Sequence, residues 1–274
     1  MEIFDPAELK KLYVPPSDAH KGQQGKITII GGSHLFHGAS LWALKVASRI
    51  VDMVFYASVP ENNALTEQLK GELYDFIAIP RGDIENYIAE SDVVLIGPGL
   101  PREDGRQKNE EPTRELTKRL LEKFSDKKWV IDAGSLQMME AEWLKELKGN
   151  VVITPHVGEF EKLFAGQGDI GSVAKKYNCT ILLKGAIDVI CSPTQCIKIP
   201  GGNVGMTKGG TGDVLAGLVA ALASRNDLFL AATVGSFINK KAGESLATRV
   251  GPYFNASDLT DEIPKVMHDL LQKS

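Results

Sequence analysis

Short, almost uninterrupted apolar runs recur along this chain, each followed by turn residues and then by an amphipathic stretch. Lys26–Ile30, Met53–Ala57, Val93–Ile96, Lys128–Ile131, Val151–Thr154 and Thr180–Leu183 are such runs. A strand that is apolar on both faces must be covered on both, so they predict buried parallel strands. Helical patterns fill the gaps: Ala39–Val51, Thr113–Phe124, Leu136–Leu147, Glu159–Phe164 and Ile170–Tyr177. The alternation predicts an α/β fold, a central, mostly parallel sheet flanked by helices on both faces. After Lys184 the register changes. Ile187–Cys191 and Gln195–Ile199, joined by Ser192-Pro193-Thr194, read as an antiparallel hairpin at one sheet edge. Three helices complete the chain: Asp213–Ser224, Leu228–Thr248 and Ser257–Gln272. The second is rich in Ala and Gly, which allows close approach to the sheet or to another subunit.

With 274 residues, no internal repeat and no dividing linker, the expectation is a single domain over residues 1–274. The apolar fraction of 43% is ample for one sizeable core. A formal charge of −4 supplies no basic field, so nucleic acid is not an expected partner. No stretch has the length of an apolar membrane span, and Met1–Lys11 lacks the shape of a signal peptide. No membrane association is expected, and the cytoplasm is the expected compartment. Of the three cysteines, Cys179, Cys191 and Cys196, one must stay unpaired in any disulfide scheme. Reduced thiols are the simplest account, with a Cys191–Cys196 pair across the hairpin as the alternative. The charged stretch Pro101–Pro112 reads as a mobile loop.

Chemistry-bearing residues gather where the strands end. Gly31-Gly32-Ser33-His34 follows the first predicted strand, and Gly97-Pro98-Gly99-Leu100 follows another. Each is either a tight turn or a place for a ligand to approach the backbone; no third glycine makes the first a dinucleotide fingerprint. His34 and His37 beside it read as surface histidines when taken alone. Asp132-Ala133-Gly134-Ser135 places a carboxylate at the same rim, either as a helix N-cap or as a ligand-facing group. Thr154-Pro155-His156-Val157-Gly158-Glu159-Phe160 ends a strand and opens a helix, with His156 either a local cap or a site residue. Lys184 ends another apolar strand, where a lysine either snorkels to solvent or meets an anion. In a parallel α/β sheet this rim is where ligands bind.

The most specific segment is Gly209-Gly210-Thr211-Gly212-Asp213, running into Val214-Leu215-Ala216-Gly217. Glycines let amide N–H groups converge, and the helix start adds its positive dipole end. The result is an anion hole with Asp213 at its lip, kept ionised by the dipole and suited to accept a hydroxyl proton. No Walker pattern occurs. The chemistry indicated is phosphoryl transfer.

The Gly-Gly-Thr-Gly-Asp anion hole resembles that of the ribokinase-like superfamily. The whole set resembles the ADP-dependent NAD(P)H-hydrate dehydratase family. The shared elements are His20-Lys21-Gly22, Gly31-Gly32-Ser33, Gly38-Ala39, Gly97 to Leu100, Asp132-Ala133, Thr154 to Phe160, Lys184 to Asp188 and Asn203 to Gly217, in the family's order. The resemblance implies a ribokinase-like fold and a metabolite-repair reaction. Hydrated NADH or NADPH (NADHX, NADPHX, the S epimer) is phosphorylated on its C6 hydroxyl and then loses phosphate to return NADH or NADPH. It implies ADP as donor with release of AMP, magnesium as cofactor, a homotetramer, and a separate epimerase as working partner. The Thr211 form of the motif resembles the prokaryotic branch, which uses ADP, whereas eukaryotic members favour ATP.

Carried over residue by residue, Ala39, Gly99, His156 and Asp213 would line the hydrate pocket. Lys184, Gly185, Ala186, Ile187, Asp188 and Gly212 would hold the adenine nucleotide. Asp213 would be the base, with the amides of Gly210, Thr211 and Gly212 steadying the transferred charge. Three places depart from the family pattern: Pro101, Val204 and Thr207-Lys208. Lys208 would either touch a phosphate or face solvent. A rival reading on the same fold is a small-alcohol kinase of the hydroxyethylthiazole or pyridoxine type. A non-enzymatic rival is a nucleotide-sensing oligomer.

Overall fold

The computed structural model describes residues 1–69, 75–102 and 111–273. The loop expected over Pro101–Pro112 lies mostly outside these. The strands are β1 (Glu2–Ile3), β2 (Lys26–Ile30), β3 (Met53–Ala57), β4 (Ile77–Ile79), β5 (Val93–Ile96), β6 (Lys128–Ile131), β7 (Val151–Ile153), β8 (Thr180–Leu183), β9 (Asp188–Cys191) and β10 (Cys196–Ile199). They form one sheet in the order β1-β10-β9-β8-β7-β6-β5-β2-β3-β4. From β8 through β4 every pairing is parallel, whereas β9 is antiparallel to both β8 and β10. The hairpin is therefore present, but it does not close the sheet. The two residues of β1 pair in parallel outside β10 and form the edge.

The helices are α1 (His37–Ala47), α2 (Pro60–Leu69), α3 (Ile84–Glu90), α4 (Thr113–Lys123), α5 (Ala133–Met138), α6 (Trp143–Glu146), α7 (Val157–Phe164), α8 (Ile170–Tyr177), α9 (Thr211–Ala223), α10 (Leu228–Val250) and α11 (Ala256–Lys273). Strand periodicity sorts the core into two layers. Ile27, Ile29, Val93, Leu95, Val130 and Val152 pack under α1, α9, α10 and α11. Ile30, Val94, Ile96, Trp129, Ile131 and Ile153 face α3 to α8. Neighbours in sequence bury opposite faces, which is why these strands read as continuous apolar runs.

The single helix expected over Leu136–Leu147 is two short ones. The chain turns helical directly at Ala133, and Met139 is already extended and buried, so the periodicity breaks there. The cysteine expectation also needs correction. Cys191 and Cys196 are direct cross-strand partners in the β9–β10 register, and their sulfurs are bonded, leaving only Cys179 free, and buried. The small residues of α10 serve close packing within the chain. Gly235 lies against Val219 of α9, and Gly243 lies against Met206. Among the described residues, no helix is long and apolar enough to cross a membrane.

Candidate active site

The parallel strands β2, β5, β6, β7 and β8 end on one rim, and the loops leaving them carry the site. The turn after β2 is zipped to the turn after β5: the Gly32 amide donates to the Pro98 carbonyl at 2.8 Å, and the Gly97 amide to that of Ile30 at 3.0 Å. Gly99 has φ +73° and is crowded by Ala39, Gly32 and the Phe36 carbonyl, so a side chain there would meet backbone. Ala39 and Gly99 are thus neighbours, as a shared role in one subsite requires. Behind this turn, His37 Nδ1 meets Asn62 Oδ1, and the Asn62 amide continues to Ser58. His37 therefore belongs to an internal polar network.

Asp132 occupies the N-cap position of α5 without bonding its amides. Its buried carboxylate instead accepts from the Lys184 ammonium at 2.9 Å, so the cap reading is not met. The same bond explains Lys184 at the end of β8: the cation meets a carboxylate rather than snorkelling away. His156 is held by a local capping box. Its Nδ1 accepts from the Gly158 and Glu159 amides at 3.1 and 3.3 Å, and Glu159 Oε2 accepts from the His156 amide at 2.9 Å. With Nδ1 spent as acceptor, a neutral His156 carries its proton on Nε2, which lies 3.6 Å from Glu159 Oε2. His156 is therefore a cap, and it also lines the neighbouring cavity. Beside it, His156 and Lys184 form an isolated parallel bridge, so the two strand ends are in register.

The segment expected to form an anion hole is the start of α9. Gly210 caps the helix at φ +95°, and a side chain there would overlap the Trp42 ring of α1. No side chain caps this helix start. Among the described residues the amides of Gly210 and Gly212 have no partner, while that of Thr211 reaches back to the Lys208 carbonyl at 3.4 Å. The Thr211 hydroxyl is spent on the carbonyls of Met206 and Lys208. Lys184 Nζ lies 3.3 Å from where a Gly212 side chain would begin, so cation and free amides address the same space. Lys208 touches neither. Its ammonium donates to the Pro252 and Phe254 carbonyls at 2.7 and 2.6 Å, pinning the chain before α11.

Asp213 sits in the first turn of α9. Burial, with the Asp132 carboxylate adding to it, pushes its carboxyl up to about 7 against the pull of Lys184. This corrects the expectation of an easily ionised carboxylate: the helix dipole is outweighed, and the group is half-protonated near neutrality. Lys184 moves up as well. Burial alone would lower it, but Asp132, Glu159 and Asp213 more than compensate. Asp213 lies four residues before Gly217, whose Cα side rests on Ala43 of α1, and Ala39 lies four residues before Ala43. This close contact at Gly217 is what packs α9 against α1.

A cavity of about 610 Å³ opens beside this cluster. His156, Lys184, Gly185, Ala186, Asp188 and Gly212 line it, bringing together most of the nucleotide positions expected from the sequence. Ile187 is not among them and is exposed to solvent. Asp188 is buried at the cavity edge and fully engaged, accepting from the Gly185 amide and the Ser236 hydroxyl. The far wall contains Asn203, Met206, Leu215, Asn239 and Lys240, which sequence reasoning did not single out as ligand-facing. A lysine inside the Ala- and Gly-rich run of α10 was the available signal for the last. Among the described residues no three His, Cys, Asp or Glu side chains converge to hold a metal ion.

Comparison with known proteins adds four findings. The family described as NAD(P)H-hydrate dehydratase matches residues 27–265. The chain is 37% identical over 265 residues to a bifunctional NAD(P)H-hydrate repair enzyme of Methanocaldococcus jannaschii, covering 95% of this chain and 51% of that protein. It thus spans about half the length of that relative. It is 35% identical to an ADP-dependent (S)-NAD(P)H-hydrate dehydratase of Nitrosopumilus maritimus, with 94% of each chain covered. In three dimensions it resembles a ribokinase-like superfamily protein of Enterococcus faecalis, with a TM-score of 0.84, 21% identity and coverage of 98% and 96%. The last likeness establishes the ribokinase-like fold.

Proposed function

From its membership of the NAD(P)H-hydrate dehydratase family, to which this chain belongs, we propose that it is an ADP-dependent dehydratase that repairs the S epimer of hydrated NADH and NADPH. The observation that carries the reading is the meeting of Lys184 and the open Gly212 amide at one cavity, with Asp213 in the next position of α9 and electrostatically felt by Lys184. Hydroxide is a poor leaving group and phosphate a good one, so the C6 hydroxyl must first be phosphorylated. The hydroxyl oxygen attacks the β-phosphoryl of ADP as Asp213 takes its proton, and the bond to the AMP oxygen breaks. A carboxylate poised near neutrality is a stronger base than an ordinary one, and its ionised form, about half at pH 7, becomes the main one above it. The amides of Gly210 and Gly212 receive the charge growing on the transferred group, each donor worth about 3 kcal/mol in such sites. The ring nitrogen's lone pair then expels phosphate from C6. Loss of a C5 proton restores the dihydropyridine.

In this reading Lys184 and the Gly185-Ala186 loop hold the nucleotide, and His156, Ala39 and Gly99 hold the hydrated ring. Asp188 acts by fixing that loop, and Ile187 at most touches the ligand from outside. Magnesium carried by the nucleotide, a cytoplasmic homotetramer and a separate epimerase supplying the S form belong to the same proposal. The two-activity relatives support the last of these. The test is incubation with heat-generated hydrated NADH and either ADP or ATP. Recovery of reduced-nicotinamide absorbance with stoichiometric AMP and phosphate is expected with ADP. A stable phosphorylated product would instead indicate a small-alcohol kinase, and ADP binding without turnover a nucleotide sensor.

A further inference from the structure

Lys240 lies in the middle of α10 and is only 5% exposed. Four oxygens surround its ammonium. They are the carbonyls of Gly185 at 3.1 Å, Ala186 at 3.2 Å and Gly201 at 3.3 Å, with Asp188 Oδ1 at 3.3 Å. These oxygens come from the loop after β8, the start of β9 and the loop after β10, stretches that form two walls of the nucleotide cavity. An ammonium has three N–H bonds and cannot aim at four acceptors at once. The contacts are nearly equal and longer than a directed bond to a charged group, typically about 2.7–2.9 Å. Three long hydrogen bonds to carbonyls and an ion pair to a carboxylate thus surround the cation with oxygens. The cage is also electrically closed. Asp188 is buried, and its remaining capacity is taken by the Gly185 amide at 2.9 Å and the Ser236 hydroxyl at 2.7 Å.

We infer that Lys240 is a tethered monovalent cation: it fills a cage of backbone and carboxylate oxygens and thereby clamps the two walls of the nucleotide cavity. The residue positions the loop that meets the nucleotide and takes no part in the chemistry. The inference rests on that cavity being the ADP site. An untethered monovalent cation should be able to replace the ammonium once the side chain is removed, and the native chain should need none.

The test is calorimetric titration of ADP into the full chain in choline, potassium or ammonium chloride. Lys240→Ala is expected to bind ADP about tenfold or more weakly in choline, because a buried carboxylate and three carbonyls lose their cation. Potassium or ammonium should restore most of that loss. Lys240→Ala that binds ADP like the native chain, or a cooperatively folded variant that neither cation rescues, would overturn the inference. The native chain gives an independent reading should the variant not fold. Its ADP affinity is expected to be the same in choline and potassium, and a potassium requirement there would overturn the inference too. Turnover of hydrated NADH is measured separately. Its absence with this affinity pattern intact would count against the dehydratase reading alone.

Discussion

At the scale of single residues, Asp213 decides most. Its carboxyl is held up by burial and by Asp132, so the ionised, active form is lost as pH falls through about 7. The rate should therefore climb on an acidic limb near pH 7 and level off above it. Asp132→Asn removes a negative neighbour and should move that limb to lower pH; a limb that stays in place would separate the two carboxylates. Asp213→Asn should cut turnover by about 10²–10⁴-fold, the usual share of a positioned general base, while calorimetry finds ADP binding largely intact. Near-normal turnover would remove Asp213 from the base role. His156 is an exposed side chain in a capping box at the cavity wall, so His156→Ala should raise the apparent substrate constant more than it lowers the maximal rate. The opposite split would place chemistry on the ring.

Among the elements, the start of α9 is the most constrained. Gly210 combines φ +95° with direct contact to Trp42, whose indole in turn donates to Ser257 at 2.9 Å. A β-branched residue there meets both backbone strain and the ring. Gly210→Val should cost about 2 kcal/mol or more in urea unfolding; a loss below about 0.5 kcal/mol would mean that the contact yields. The element-level expectations mostly matched because the buried parallel strands carry their signal locally, in runs of Val and Ile with defined ends. β1 and β4 left none, being two and three residues long. The break between α5 and α6 was hidden because apolar residues continue across it, and only packing shows that Met139 is extended.

For the whole molecule, one rim collects the loops in which the candidate site residues lie, and the two core layers hold that rim from behind. Binding of ADP to the folded chain should stabilise it by about 2.7 kcal/mol at a hundredfold excess over Kd. For a chain of this size that corresponds to a rise in Tm of about 5 °C or more. Scanning calorimetry with ADP and with a nucleoside lacking phosphates checks it, and equal shifts would detach the anion hole from nucleotide binding. The disulfide belongs to this scale as well. Cys191 and Cys196 are five residues apart in sequence, but it is the hairpin's register that sets them face to face.

Much of this protein was legible in its residues alone: the α/β alternation, the glycine-built helix start, Asp213, and the collection of Asp132, His156 and Lys184 at strand ends. Those features are local, since a strand's burial pattern and a turn's need for glycine are written within a few positions. What the sequence could not supply was the company each group keeps. That Lys184 turns to Asp132, that Lys208 closes on Pro252 and Phe254, and that Lys240 sits among four oxygens follow from segments far apart in the chain. The acidity of Asp213 has the same origin. A helix start favours its anion, but burial and a second carboxylate from another strand outweigh that preference, and only the folded chain brings them near.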